Sequence, residues 1–149
     1  MSNLHLKQLI LFSIFFLSAL FVHAQVDSLE LACPLENGTP RIIRASDRDY
    51  QRSSEYGVML TSKTDTLVNA VYGASVVIVA RTEDARYDVV LQYRGFYFWY
   101  AGILAPRVKN GAKVQKGQVI GTYKPGEMLE LLMFDQEEPV NPRKFLKCK

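Results

Sequence analysis

The sequence predicts an all-β domain, an antiparallel β-sandwich or half-barrel, that follows an export signal. Short runs of β-branched and aromatic residues recur through the C-terminal two thirds of the chain, and glycine-containing turns separate them. No segment there has the length and the 3.6-residue periodicity of a core helix. Many short strands with regular turn signals are typical of β-sandwiches and barrels.

Residues 1–24 are predicted to be a signal peptide. Lys7 supplies a positive charge, "LILFSIFFLSALFV" is an apolar core, and "VHA" places small residues at a cleavage position after Ala24. An uncleaved membrane anchor is the alternative, but the apolar run is short for a membrane span. We therefore expect a periplasmic or secreted protein that has no stable membrane span after cleavage.

Residues 25–54 are polar and are predicted to form an N-terminal extension, mostly loop, with a turn at "ENGTPR" and a short strand near "RIIRA". Residues 55–149 are predicted to form the β domain. "LVNAVYGASVVIVAR" indicates two strands around a turn at Tyr72-Gly73. "YDVVLQY" and "FYFWYAGIL", separated by Arg94-Gly95, indicate the clearest hairpin. "KVQKGQVIGTY" and "MLELLMF" follow as the last strands, before a turn at "DQEEPVNP" and a short closing segment, "RKFL".

The aromatic run from Phe96 to Tyr100 has a side chain for each face of a strand. Alternation sends Phe96, Phe98 and Tyr100 to one face, and Tyr97 and Trp99 to the other. One set is expected in the core. Tyr97 and Trp99 then either line a groove as candidate ligand-stacking residues or are buried between two sheets.

The two cysteines, Cys33 and Cys148, lie near the two ends of the predicted mature chain. In an oxidising compartment this arrangement favours a disulfide that joins the termini, and two free thiols on mobile tails are the alternative. Closing so long a loop would stabilise the fold by about 4 kcal/mol in the chain-entropy model.

The composition excludes several kinds of catalytic site. The chain has two histidines, His5 and His23, and both lie in the predicted signal peptide. Zinc sites built on histidine, Ser-His-Asp triads and Cys-His dyads are therefore excluded from the mature part. The formal net charge is only +3 and the basic residues are scattered, so the chain also lacks the basic stripe of a nucleic-acid-binding protein.

Several motifs together resemble one enzyme family. "VKNGAKVQKGQVIG" meets every position of a Val-x-x-Gly-x-x-Val-x-x-Gly-Gln-x-Ile-Gly motif, and "EYGVM", "YAGI" and "MLELL" stand at the spacing of His-x-Gly-[Ile/Val]-Asp, Tyr-x-His-Leu and His-Leu-His-Phe-Glu. With these motifs, the segment from Glu55 to Leu146 resembles the lysostaphin-type (LytM-like) zinc endopeptidases of family M23, which cut peptidoglycan cross-links. The resemblance implies a half-barrel of the duplicated hybrid motif type.

The resemblance also implies that the chemistry of those enzymes is lost. Glu55, Met59 and Glu130 stand at the positions of the metal ligands, and Gly102 and Met128 stand where the family has two further histidines. A catalytic zinc needs about three protein ligands and an open position, and a thioether does not replace a hard carboxylate. We therefore expect no catalytic residue, no metal and no other cofactor, and these five residues are expected to line the former active-site groove.

Degenerate relatives of these enzymes act as binding and regulatory factors in the cell envelope. The resemblance therefore implies a pseudoenzyme that binds peptidoglycan or an envelope protein and regulates or scaffolds cell-wall remodelling. Two alternatives stay open. One is an active peptidoglycan metalloendopeptidase with an unconventional carboxylate site at Glu55 and Glu130. The other is a structural subunit of an envelope complex, in which a partner buries the groove.

Overall fold

The structure is a computed structural model, and it describes residues 29–41 and 57–148. These residues form thirteen strands and one 3-10 helix. In chain order they are β1 (Leu31–Ala32), β2 (Thr39–Pro40), β3 (Gly57–Thr61), β4 (Leu67–Asn69), β5 (Ala74–Arg81), β6 (Tyr87–Tyr93), β7 (Phe96–Ile103), β8 (Ala105–Pro106), β9 (Lys113–Val114), β10 (Val119–Thr122), β11 (Leu129–Asp135), β12 (Glu138–Val140), η1 (Pro142–Lys144) and β13 (Leu146–Lys147).

The strands form three open sheets, which confirms the predicted all-β class. The largest has eight strands in the order β2-β3-β11-β7-β6-β5-β9, and β12 pairs with the end of β11. A second sheet has the order β4-β10-β8. Every pairing within these two sheets is antiparallel, whereas β1 and β13 pair in parallel as a third, two-stranded sheet. The sheets do not close into a barrel.

The core lies on one face of the large sheet, here called its inner face. In β11 the inward-pointing residues Leu129, Leu131 and Met133 are fully buried. Phe98 and Tyr100 of β7 are buried in the same cluster, which includes residues from the two smaller sheets. The opposite, outer face of the large sheet carries the alternating residues of each strand. The alternation read from "MLELLMF" and "FYFWY" is therefore confirmed.

The predicted β6–β7 hairpin is also confirmed. Tyr93 pairs with Phe96, so Arg94 and Gly95 form a two-residue turn. Further along β7, the Tyr100 hydroxyl accepts a hydrogen bond from the Val71 backbone N–H at 2.7 Å, and burial raises the pKa of this phenol. This bond fixes the C-terminal half of β7 against the turn that follows β4.

A disulfide joins Cys33 to Cys148, with the two Cα atoms 4.8 Å apart, and the predicted bridge is thereby confirmed. Leu31 pairs with Leu146 and Ala32 with Lys147, so the cysteines continue the register of the parallel pair. Leu29, Leu31 and Leu35 belong to the main core cluster. The described part of the N-terminal extension therefore packs as part of the β domain.

Some predictions fall on residues that the structure does not describe. The predicted signal peptide, most of "RIIRA" and Glu55 all lie outside residues 29–41 and 57–148. Within those two ranges, no helix has the length and apolar character needed to cross a lipid bilayer. The domain boundaries at 24 and 54 stay predictions.

Candidate functional site

Four of the five predicted groove residues line one cavity of about 520 Å³, here called the methionine groove: Met59, Gly102, Met128 and Glu130. The strand register brings them together, because Glu130 in β11 pairs with Met59 in β3 on one side and with Ala101 in β7 on the other. The cavity therefore lies on the outer face of the large sheet, where β3, β11 and β7 run side by side.

Thioethers and a carboxylate form the base of the methionine groove. Met59 is only 4% exposed. The Met128 sulfur accepts a hydrogen bond from Nη1 of Arg41 at 3.1 Å. Glu130 lies beside Met59 on the outer face, as predicted, and its Oε1 atom is shielded from solvent. The base of the groove thus combines two soft thioether sulfurs with one carboxylate.

Gly102 is held in a conformation that excludes a side chain. Its φ angle is +100°, and a Cβ atom placed on it would lie 2.8 Å from the backbone oxygen of Met128. Real Cβ atoms do not approach a carbonyl so closely, so any larger residue would force β7 away from the residue that precedes β11. The position where the family has a histidine is therefore closed by the backbone itself.

A charged clamp borders the methionine groove. The Arg86 guanidinium donates from Nε to Glu127 Oε2 at 3.0 Å and from Nη2 to Oε1 at 2.7 Å, and Lys124 Nζ lies 3.1 Å from the same Oε1. Arg86 and, to a smaller extent, Lys124 lower the pKa of Glu127. The clamp fastens the loop between β10 and β11 to the start of β6.

Hydrogen bonds of the buried Tyr123 hydroxyl also hold the loop between β10 and β11. The Tyr123 hydroxyl accepts a hydrogen bond from the Ser62 N–H at 3.0 Å and donates to the carbonyl oxygen of Glu127. Beside the clamp, a hydrogen bond from the Thr82 hydroxyl lowers the pKa of Asp84, which also lines the groove. The groove rim is therefore both charged and firmly positioned.

Sequence reasoning did not identify the charged residues of this rim, which are Arg41, Asp84, Arg86 and Glu127. None of them belongs to a motif of the family, and the two partners of the clamp are far apart in the chain. Glu127 directly precedes Met128 in the chain, and this is the one sequence signal that could have pointed to the rim.

Tyr97 and Trp99 lie on the outer face as alternation predicts, but in a second cavity of about 920 Å³ and not in the wall of the methionine groove. Trp99 is 36% exposed, so the alternative in which both faces of β7 are buried is wrong. The indole Nε1 donates to Asp88 Oδ2 at 3.0 Å, and burial raises the pKa of Asp88. We call this cavity the tryptophan cavity. Its lining consists of Ile78, Val90, Gly95, Tyr97, Trp99, Phe134, Asp135, Gln136, Glu137 and Glu138.

The residues of the methionine groove do not fit the zinc ion that the family binds. Met59 offers a thioether in place of a carboxylate, and Gly102 and Met128 offer no imidazole. Within the described ranges, no group of three His, Cys, Asp or Glu side chains lies close enough together to hold a metal ion.

Comparisons with known proteins agree with the motifs and the fold. Residues 53–142 match the sequence model of peptidase family M23. No curated protein sequence matches the chain.

Several solved structures have a similar fold. Csd3 from Helicobacter pylori has a TM-score of 0.65 and 21% identity, over 81% of this chain and 34% of that one. A chain of the SpoIIQ–SpoIIIAH pore forming complex has a TM-score of 0.62 and 18% identity, over 80% of this chain and 92% of that one. A zinc containing peptidase from Vibrio cholerae has a TM-score of 0.51 and 18% identity, over 58% of this chain and 28% of that one. The chain thus spans about a third of the Csd3 chain that it matches.

The family match covers more than half of the chain and includes the glycine-valine motif, Met128 and the strand β11 that carries Glu130. The all-β fold brings Met59, Gly102, Met128 and Glu130 to one cavity. This protein belongs to peptidase family M23.

Proposed function

We propose that this protein is an exported, non-catalytic M23 domain that binds peptidoglycan or an envelope protein through the methionine groove. In this role it scaffolds or regulates cell-wall remodelling. The observation that carries the proposal is the backbone at Gly102, which has a positive φ and on which an added Cβ atom would lie only 2.8 Å from the Met128 oxygen, so that a side chain does not fit there without a shift of the backbone.

The remaining groove residues support the absence of catalysis. Hydrolysis by a zinc peptidase needs a metal-bound water and a group that moves its proton. Met59 and Met128 supply neither a hard ligand nor a base at neutral pH. Glu55 and Glu130 alone leave a zinc ion short of the usual three ligands.

The shape and charge of the groove support binding. A volume of about 520 Å³ is within the usual range for ligand sites. The rim carries guanidinium groups from Arg41 and Arg86 and carboxylates from Asp84 and Glu127, and the base adds the carboxylate of Glu130. Such a mixture of signs suits a ligand that carries both amines and carboxylates, as the peptide parts of peptidoglycan do.

A scaffolding role is compatible with the fold comparison. The similar chain from the SpoIIQ–SpoIIIAH pore forming complex is matched over 92% of its length, so a domain of this size and fold occurs in an assembly with a partner protein. We propose that the present chain likewise binds a partner protein, located in the cell envelope.

The first experiment tests catalysis. The protein, expressed at full length and purified without chelators, is incubated with purified sacculi with and without added zinc, and lysostaphin serves as the positive control. We expect no soluble peptidoglycan fragments under either condition and no stoichiometric zinc by elemental analysis. Zinc-dependent release of fragments would establish the alternative of an active metalloendopeptidase.

The second experiment tests binding through the groove. Ala101→Arg places a long side chain in the groove at a partly exposed position, and Ala105→Arg makes the same change at an exposed position of the other sheet as a matched control. We expect the groove variant alone to lose retention by sacculi, or by an envelope protein captured after crosslinking. Equal retention of both variants would remove the groove from the proposal.

A further inference from the structure

We propose that the tryptophan cavity is a second binding site, and that it takes a basic, apolar peptide segment of a partner protein. This site is separate from the methionine groove, and the inference does not depend on what that groove binds. It rests on an exposed apolar floor, an acidic rim without basic residues, and an aromatic ring that is already fixed in place.

The floor is a continuous apolar surface across four adjacent strands. Trp99 in β7 pairs with Val90 in β6, and Val90 pairs in turn with Ile78 in β5. On the other side of β7, Tyr97 pairs with Phe134 in β11. Ile78 is 45% exposed and Trp99 is 36% exposed, so water contacts large apolar side chains here. Covering them with apolar groups of a ligand would be favourable.

The rim is acidic. Asp135, Glu137 and Glu138 come from the end of β11, the tight turn after it and the start of β12, and no lysine or arginine is among the lining residues. None of the ion pairs between described residues involves these three carboxylates. The chain as a whole is positive, with a net charge of +3, so this is a local patch of opposite sign. Charge complementarity therefore favours a ligand with lysine or arginine side chains.

The indole ring is oriented before a ligand arrives. Its Nε1 donates to Asp88 at 3.0 Å, which holds the ring in one orientation beside the exposed floor. A fixed aromatic ring loses little conformational entropy on binding, and its face attracts a cation as well as apolar groups. A glycan would also stack on Trp99, but the three carboxylates offer it no matching charge. A peptide in which basic and apolar side chains alternate satisfies both the floor and the rim.

The test uses Trp99 as its own reporter, since it is the only tryptophan in the chain. The full-length protein is titrated with a short capped peptide of alternating lysine and leucine, and tryptophan emission is recorded. A peptide of alternating glutamate and leucine and a tetramer of N-acetylglucosamine are titrated in parallel. We expect a saturable emission shift with the lysine peptide, weakened by salt, and no shift with the other two.

Two variants locate the binding. Glu137→Lys combined with Glu138→Lys reverses the rim charge at exposed positions, and we expect it to weaken the lysine peptide at least tenfold. Glu36→Lys combined with Glu83→Lys, at two exposed carboxylates outside the cavity, makes the same change of net charge and is the control that should leave affinity unchanged.

Three outcomes would overturn the inference. These are the absence of an emission shift with the lysine peptide, an equal affinity of the rim variant and the Glu36→Lys, Glu83→Lys control, and a saturable shift with the N-acetylglucosamine tetramer that exceeds the shift with the lysine peptide. The last would assign the cavity to glycan.

Discussion

Among the predicted groove residues, Gly102 is the one whose identity the structure explains most directly, because its backbone geometry requires a glycine. Its φ of +100° is a conformation that residues with a Cβ atom rarely adopt, and its neighbour across the groove is a backbone oxygen at 2.8 Å from the missing Cβ. A side chain at this position therefore does not fit without a shift of the backbone.

We predict that Gly102→Ala destabilises the fold by about 2–4 kcal/mol, because it adds a steric contact to the cost of a positive φ. Gly111→Ala is the matched control. Gly111 also has a positive φ, +85°, but no atom lies within 4 Å of its Cβ position, so we expect a loss of about 1 kcal/mol from the backbone alone. Urea unfolding of both variants measures the difference. Equal losses of stability in the two variants would mean that the Met128 backbone shifts to make room for the added Cβ atom.

At the scale of elements, the loop between β10 and β11 shapes the methionine groove more than any strand does. The Arg86–Glu127 clamp and the Tyr123 hydroxyl hold this loop from opposite sides. The strands supply Met59, Gly102 and Glu130 by register alone, while the loop supplies Glu127 and sets the position of Met128. A change at Glu127 would alter the groove without removing a residue of the core cluster.

We predict that Glu127→Gln lowers Tm by a few degrees at neutral pH and has no effect in acid. Arg86 lowers the pKa of Glu127 below its ordinary value of 4.5, so the unfolded chain takes up the proton more readily than the folded one. The stabilisation is therefore present above that ordinary value and is lost as the pH falls through the lowered pKa. Thermal unfolding across this range, with Glu36→Gln as a control, measures it. A difference in Tm that persisted in strong acid would contradict the assignment.

At the scale of the whole molecule, the disulfide joins residues that are 115 positions apart and completes the small parallel sheet. It attaches the N-terminal segment, with Leu29, Leu31 and Leu35 in the core, to the last strand of the domain. The two ends of the described chain are thus part of one packing unit.

We predict that Cys33→Ser combined with Cys148→Ser lowers the free energy of unfolding by about 4–5 kcal/mol, since the bridge restricts a very long loop in the unfolded chain. Urea unfolding of the wild-type protein with and without reductant provides the comparison. Reduction should bring the wild type to the stability of the double variant. If the double variant were as stable as the oxidised wild type, the terminal segments would contribute to the core without help from the bridge.

The fold and much of the candidate site follow from local patterns. Alternation assigns the inner and outer residues of "MLELLMF" and "FYFWY", since a strand has a period of two whatever it pairs with. The glycine-valine motif and its spacing indicate family M23, and the lack of histidine after His23 excludes the usual zinc chemistry. Two cysteines in a chain predicted to be exported are enough to favour the bridge that the structure contains.

Only the tertiary structure decides what depends on contacts between distant segments. The clearance at Gly102 depends on how β7 lies against the residue before β11, and the clamp joins Arg86 to Glu127 across 41 positions. The separation of Trp99 from the methionine groove depends on the register of β7 against its neighbours, which places Trp99 opposite Leu132 while Ala101 lies opposite Glu130. Strand alternation gives the face on which a side chain lies. Its position along that face is determined by the pairing of strands, which a single sequence does not specify.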